Sequence, residues 1–123
     1  MAQPVLVAVV DDDESVRESL PDALKRIGCA ARAFASAAEF LASDCIVDAQ
    51  CLILDVNMPG MSGPELQREL SRRGYATPII FITAQSPDSI PPSLLEQKKV
   101  ECLFKPFSKE DLRAALDAAL KGR

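Results

Sequence analysis

The sequence predicts an α/β fold, a doubly wound parallel sheet with helices on both faces. Three observations carry that prediction. Short apolar runs recur at 5–10, 51–54 and 79–82, the first of them β-branched, as strands buried on both faces require. Stretches whose apolar residues keep helical spacing lie between the strand runs. A strand-helix unit of this kind repeats five times with no linker, internal repeat or low-complexity tract, which implies parallel pairing.

The elements follow in order. Residues 5–10 form the first strand. Val16, Leu20, Leu24 and Ile27 then keep helical spacing from 14 to 27; Asp13 caps this helix and Gly28 ends it. Pro21, inside the pattern, is expected to kink the helix or cost it a hydrogen bond. Residues 30–34 carry the faintest strand pattern. Ser36 caps a short helix through Leu41, with Glu39 placed for a capping box. The run 51–54 is the third strand, and the loop NMPGMSG at 57–63 is dense in turn residues. Pro64 fits the first turn of a helix reaching about Arg73, which Gly74 ends. Pro78 opens the fourth strand at 79–82. Leu94 and Leu95 suggest a helix within 85–99, its start delayed by Pro91 and Pro92. Residues 102–104 are the last strand. Ser108 caps a final amphipathic helix carrying Leu112, Ala115, Leu116 and Leu120.

Composition narrows the function. The 123 residues suit a single domain over 1–123. With 14 basic and 18 acidic residues the net charge is -4, which disfavours direct nucleic-acid binding. Histidine is absent, so the common metal ligand, the common general base and any Ser-His or Cys-His nucleophile pair are missing. The cysteines at 29, 45, 51 and 102 have no C-x-x-C spacing and read as reduced thiols in a core. The longest apolar run, 5–10, is too short to cross a bilayer, and an acid cluster follows it where a secretory signal would not have one. A cytoplasmic protein without membrane contact is expected.

In a parallel sheet ligands bind beyond the carboxyl ends of the strands. The first strand ends at Asp11 and Asp12, the third at Asp55, the fourth at Thr83, and the fifth at Lys105 before Pro106. Each alone is ordinary: an Asp run caps helices, and a strand threonine or a surface lysine is common. Their coincidence at one sheet edge is the signal. Three carboxylates brought together repel; Lys105 offsets one charge and a divalent cation the other two. An all-oxygen donor set points to Mg2+, whose remaining positions invite a phosphoryl group. Thr83 and Lys105 could hold its other oxygens.

These residues resemble the receiver domain of two-component response regulators. The matching pieces are VVDDDES at 9–15, LDVNMPGMSG at 54–63, ITA at 82–84 and KPF at 105–107, in the family's order across nearly the whole chain. The resemblance implies a flavodoxin-like (βα)5 fold with strand order 2-1-3-4-5, and Asp55 as phosphoryl acceptor. It implies that Asp12 and Asp55 bind Mg2+ through their side chains, Asn57 through its carbonyl, and Asp11 mainly through water. Thr83 would hydrogen-bond the phosphoryl group and Lys105 would pair with it, aimed by a cis Lys105–Pro106 peptide. Asp13 would cap a helix, and Pro59 and Gly63 would shape the loop beside Asp55. The implied donor is a sensor histidine kinase or a phosphotransfer protein, and the chain would catalyse only its own phosphotransfer and autodephosphorylation. The wording of 9–20 and 34–41 further resembles regulators that join a receiver to a helix-turn-helix output domain. The chain is then a stand-alone receiver or a fragment, acting on an output domain or target protein.

Three departures fall on the face that receivers use for output. Cys102 stands where an aromatic residue is frequent, Pro91 and Pro92 where the fourth helix begins, and Lys98 and Lys99 before the fifth strand. The resemblance also admits a homodimer through the fourth helix, fifth strand and fifth helix. Two other readings compete: a phosphate-independent receiver-like binding module, and a phosphatase of the haloacid-dehalogenase type, whose D-x-D pair Asp11 and Asp13 partly mimic.

Overall fold

Runs that are apolar on both faces can only be satisfied between two layers of helix, and that is where the strands lie. The computed structural model describes residues 5–56, 58–83, 100–104 and 107–121. Its elements are β1 (Leu6–Val10), α1 (Glu14–Arg26), β2 (Ala30–Phe34), α2 (Ala37–Leu41), α3 (Cys45–Asp48), β3 (Cys51–Asp55), α4 (Gly63–Arg72), β4 (Ile79–Thr83), β5 (Val100–Phe104) and α5 (Lys109–Lys121). The strands form one sheet in the order β2-β1-β3-β4-β5, every pair parallel. This is the predicted architecture, with boundaries moved by a residue or two.

Alternation along the central strands divides the core in two. Ala8, Val10, Leu52, Leu54 and Phe81 face one way and pack with Phe34, Phe40, Leu66 and Leu70. Val7, Val9, Ile53, Ile80 and Ile82 face the other way and pack with Leu20, Leu24, Leu112 and Leu116. Fully burying one such side chain is worth about 1.5–3 kcal/mol, so both layers contribute heavily to stability.

The caps sit where the sequence places them. Asp13 Oδ1 accepts from the Ser15 amide at 2.9 Å, Ser36 Oγ from the Glu39 amide at 3.2 Å, and Ser108 Oγ from the Asp111 amide at 3.0 Å. Gly28 and Gly74 follow α1 and α4 with φ of 92° and 89°, the left-handed conformation that favours glycine. Helix α1 continues through Pro21, which leaves that position without an amide donor as expected, while Leu20 and Leu24 pack on the sheet to either side of it. One feature differs from expectation. Helix α3 is an extra single turn, too short for periodicity to register; Ser43 Oγ links it to α2, donating to Phe40 O at 2.7 Å and accepting from the Cys45 amide at 3.2 Å. The helix expected within 85–99 and the Lys105–Pro106 peptide lie outside the described residues.

Candidate functional site

Because all five strands run the same way, their carboxyl ends share one edge. At the end of β1 the Asp11 amide donates to Phe34 O at 3.1 Å, carrying the pairing one residue past the strand. Asp11 is fully buried, and its Oδ1 accepts from the Asp13 amide at 2.9 Å. Asp13 Oδ1 in turn accepts from the Ser15 amide at 2.9 Å and from Ser15 Oγ at 2.8 Å. The three consecutive acids thus divide their work. Asp11 braces the turn from within, Asp13 caps α1, and Asp12 between them is exposed.

Asp55 ends β3, is 8% exposed, and lies in register with Ile82. Carboxylate oxygens of Asp11, Asp12 and Asp55 come within 4.8 Å of one another, close enough for a single cation to reach all three. The donor set is oxygen alone, which fits a hard divalent ion such as Mg2+. Thr83, 1% exposed, ends β4 in register with Phe104, the residue before Lys105 in the chain. The structure thus brings Asp11, Asp12 and Asp55 together and sets Thr83 on the adjoining strand end. Asn57 and Lys105 lie outside the described residues.

The loop after β3 is folded back against the site. The Met61 amide donates to Pro59 O and the Gly63 amide to Val56 O, each at 3.1 Å. Gly60, with φ of 82°, turns the chain between them. Gly63 answers a different need: a Cβ there would stand 2.5 Å from the Asp55 carbonyl oxygen and 3.0 Å from Phe81 Cε1. Helix α4 starts in a complete capping box, with Ser62 Oγ accepting from the Glu65 amide at 3.2 Å and Glu65 Oε1 from the Ser62 amide at 3.0 Å. The sequence reading marked this helix start by Pro64 alone, although the signature S-x-x-E stands at 62–65.

Sequence reasoning missed one residue at this edge. Arg17, half-buried on α1, donates from Nη1 to the Asp11 carbonyl oxygen at 3.1 Å. The signal was available: helical side chains lean toward the helix N-terminus, which here is the acid turn.

The cysteines are thiols, with Cys45 and Cys51 buried. Burial, and then the Asp117 carboxylate, push the Cys29 thiol up, away from the reactive thiolate. Cys102 packs against the core and lines a cleft of about 450 Å³ between β5 and α5, beside Phe104 and Phe107. No described helix is long and apolar enough to cross a membrane.

Comparison with known proteins agrees with this geometry. The model of the response regulator receiver domain matches residues 7–117. The response regulator protein TmoT of Ectopseudomonas mendocina is 38% identical over 97% of this chain and 54% of its own length. The transcriptional regulatory protein TdiR of Thauera aromatica is 40% identical over 93% of this chain and 50% of its own. The crystal structure of FixJ-N superposes with a TM-score of 0.85 at 32% identity, covering 99% of this chain and 98% of that one. The chain spans about half the length of the curated relatives it matches.

Proposed function

The chain belongs to the response regulator receiver domain family, and from that premise we propose that it accepts a phosphoryl group on Asp55. Membership makes it a signalling domain of two-component systems rather than a conventional enzyme, and sets aside the haloacid-dehalogenase-type phosphatase. The observation that supports the acceptor assignment is the convergence of Asp11, Asp12 and Asp55 at the carboxyl edge of the sheet.

The roles follow from position and chemistry. An Asp55 carboxylate oxygen attacks the phosphorus of a phosphohistidine on a sensor kinase or phosphotransfer protein. The new P–O bond forms as the P–N bond breaks, and the electron pair leaves on the imidazole. Residues 1–123 contain no histidine, so this chain does not supply the donor itself. Asp11, Asp12 and Asp55, with the carbonyl of Asn57, would hold Mg2+, which supplies positive charge against the carboxylates and the phosphoryl oxygens. Lys105 would neutralise a further phosphoryl oxygen and Thr83 would donate to another. The acyl phosphate adds a charge of about -1.5 to -2 beside Thr83, and the pull on that hydroxyl biases the β4–β5 surface toward an active population. The same site would return the acyl phosphate to water by autodephosphorylation. Residues 1–123 act as a single cytoplasmic receiver domain, passing the signal to an output domain or target protein, with a homodimer through the β5–α5 face as one form of output.

The test is intact mass after incubation with acetyl phosphate, with and without Mg2+, on the wild type and Asp55→Asn. One Mg2+-dependent phosphoryl adduct, absent from the variant, is the expected result. Full phosphorylation of Asp55→Asn would overturn the acceptor assignment. Failure of the wild type both to gain an adduct and to bind beryllofluoride would overturn phosphotransfer and leave the phosphate-independent binding module.

A further inference from the structure

The acid cluster leans on an edge strand. Among the described residues, β2 pairs with β1 alone. Phe34, its last residue, is the only one of the five that is buried. Two contacts clamp that ring. The ring of Phe40 on α2 meets it edge-on, with centroids 5.6 Å apart and planes at 72°. The Arg32 guanidinium lies over it, 5.6 Å from the ring centre. The backbone of Phe34 reaches the acid turn: its carbonyl oxygen accepts from the Asp11 amide at 3.1 Å, one residue beyond the end of β1. The end of an edge strand opens easily unless its side chains are packed.

We propose that Phe34 is a positioning residue for the acid cluster, its clamped ring holding the end of β2 so that its carbonyl fixes the Asp11 turn. The inference rests on the reading of the cluster as a metal site. Its logic is a relay. The ring contacts fix where the Phe34 carbonyl lies, and that carbonyl fixes the Asp11 amide. Asp11 Oδ1 accepts from the Asp13 amide at 2.9 Å, which sets the path of the chain through the exposed Asp12 between them. Two of the three carboxylates thus take their places from a residue outside the cluster. Changing the Phe34 side chain leaves its carbonyl chemically intact, so it acts only by letting this strand end open.

The experiment takes two readouts from the whole chain. Hydrogen exchange of single amides is followed by NMR without metal, and Mn2+ binding is read from the electron paramagnetic resonance of the unbound ion. Phe34→Leu removes the ring and keeps an apolar side chain. The Asp11 amide should then exchange about tenfold faster relative to the Leu52 amide, which is bonded to Pro78 O at 2.9 Å on the central strand β3. Mn2+ binding should weaken about fivefold, because such sites tolerate shifts of only about 0.5 Å. Phe34→Tyr keeps the ring and should match the wild type in both. Ile79→Val thins the same core layer at the opposite edge of the sheet and should leave Mn2+ binding unchanged. Equal acceleration of the Asp11 and Leu52 amides in Phe34→Leu, or unchanged Mn2+ binding there, would mean a role in stability alone and overturns the proposal. If Phe34→Leu does not fold, Arg32→Gln decides, since Arg32 is exposed and this change removes only the charge above the ring. Exchange about threefold faster at Asp11, with Leu52 unchanged, then supports the proposal, and wild-type exchange at Asp11 overturns it. Absence of Mn2+ binding in the wild type, or undiminished binding in Asp55→Asn, overturns the metal reading itself and this inference with it, whatever the amides show.

Discussion

Replacing Gly63 by alanine tests how tightly α4 is pressed against β3, the strand that ends at Asp55. Gly63 does not have a left-handed backbone, so its requirement is for space alone. The added Cβ would lie 2.5 Å from the Asp55 carbonyl oxygen, and 3.0 and 3.2 Å from Phe81 Cε1 and Cδ1. That falls short of ordinary van der Waals contact by roughly 1 Å. Neither neighbour can give way easily. The oxygen belongs to the backbone at the end of a central strand, and Phe81 is fully buried. The start of α4 must therefore move. Overpacking of this kind costs about 1–3 kcal/mol, and exchanging glycine for alanine in a helix returns up to about 1. A net loss of about 1–2 kcal/mol lowers the melting temperature of a chain this size by roughly 3–10 °C. The residual pressure on the Asp55 backbone should also weaken Mn2+ binding, because sites of this kind tolerate shifts of only about 0.5 Å. Gly74→Ala is the control. Its φ of 89° makes alanine strained, but nothing lies within 4 Å of the new Cβ, so stability should fall with Mn2+ affinity unchanged. A Gly63→Ala protein that melts at or above the wild type and binds Mn2+ equally well would refute the reasoning.

Three further outcomes follow from the helices. Ser62→Ala removes one half of the capping box on α4 and should cost about 1 kcal/mol in urea unfolding; no change in midpoint would show that Glu65 suffices alone. Pro21→Ala restores a backbone donor inside α1 and should raise stability by about 1–3 kcal/mol; a lower melting temperature would mean that the ring's packing outweighs the missing bond. Hydrogen bonds from Arg72 and then Arg73 hold the Glu69 carboxyl down to about 2 from its ordinary 4.5, so its stabilisation is present above pH 4.5 and is lost as pH falls toward 2. Acid titration of Glu69→Gln, followed by circular dichroism, should show a shallower loss across that window, and an identical acid limb would refute the assignment.

The fold was legible because each short apolar run stands alone between helical stretches. Strands 51–54 and 79–82 could hardly be read otherwise, and the cap residues Asp13, Ser36 and Ser108 mark helix starts to the residue. Helix α3 was not legible, since one turn has no period to detect. Pro21 did not end α1, since Leu20 and Leu24 pack on the sheet to either side of it. At the site, the strand ends named Asp11, Asp12 and Asp55, and the structure brings all three together. The sequence could not say which of three consecutive aspartates is buried, because that depends on Phe34 O capturing the Asp11 amide from a strand distant in the chain. Arg17 escaped notice for a related reason: its partner is a backbone carbonyl, which leaves no mark in a pattern of side chains.

The alternation of β3 between two cores also constrains how such a chain can change length. Leu52 and Leu54 serve one layer, Cys51 and Ile53 the other, and Asp55 comes next in the count. Losing a single residue inside the strand would exchange the two sets and rotate Asp55 to the opposite side of the sheet. Losing two would preserve the parity but pull Asp55 about 7 Å back from Asp11 and Asp12. Insertions and deletions in descendants of this sequence are therefore confined to the connections between elements, and the strand behaves as a reading frame whose phase Asp55 inherits.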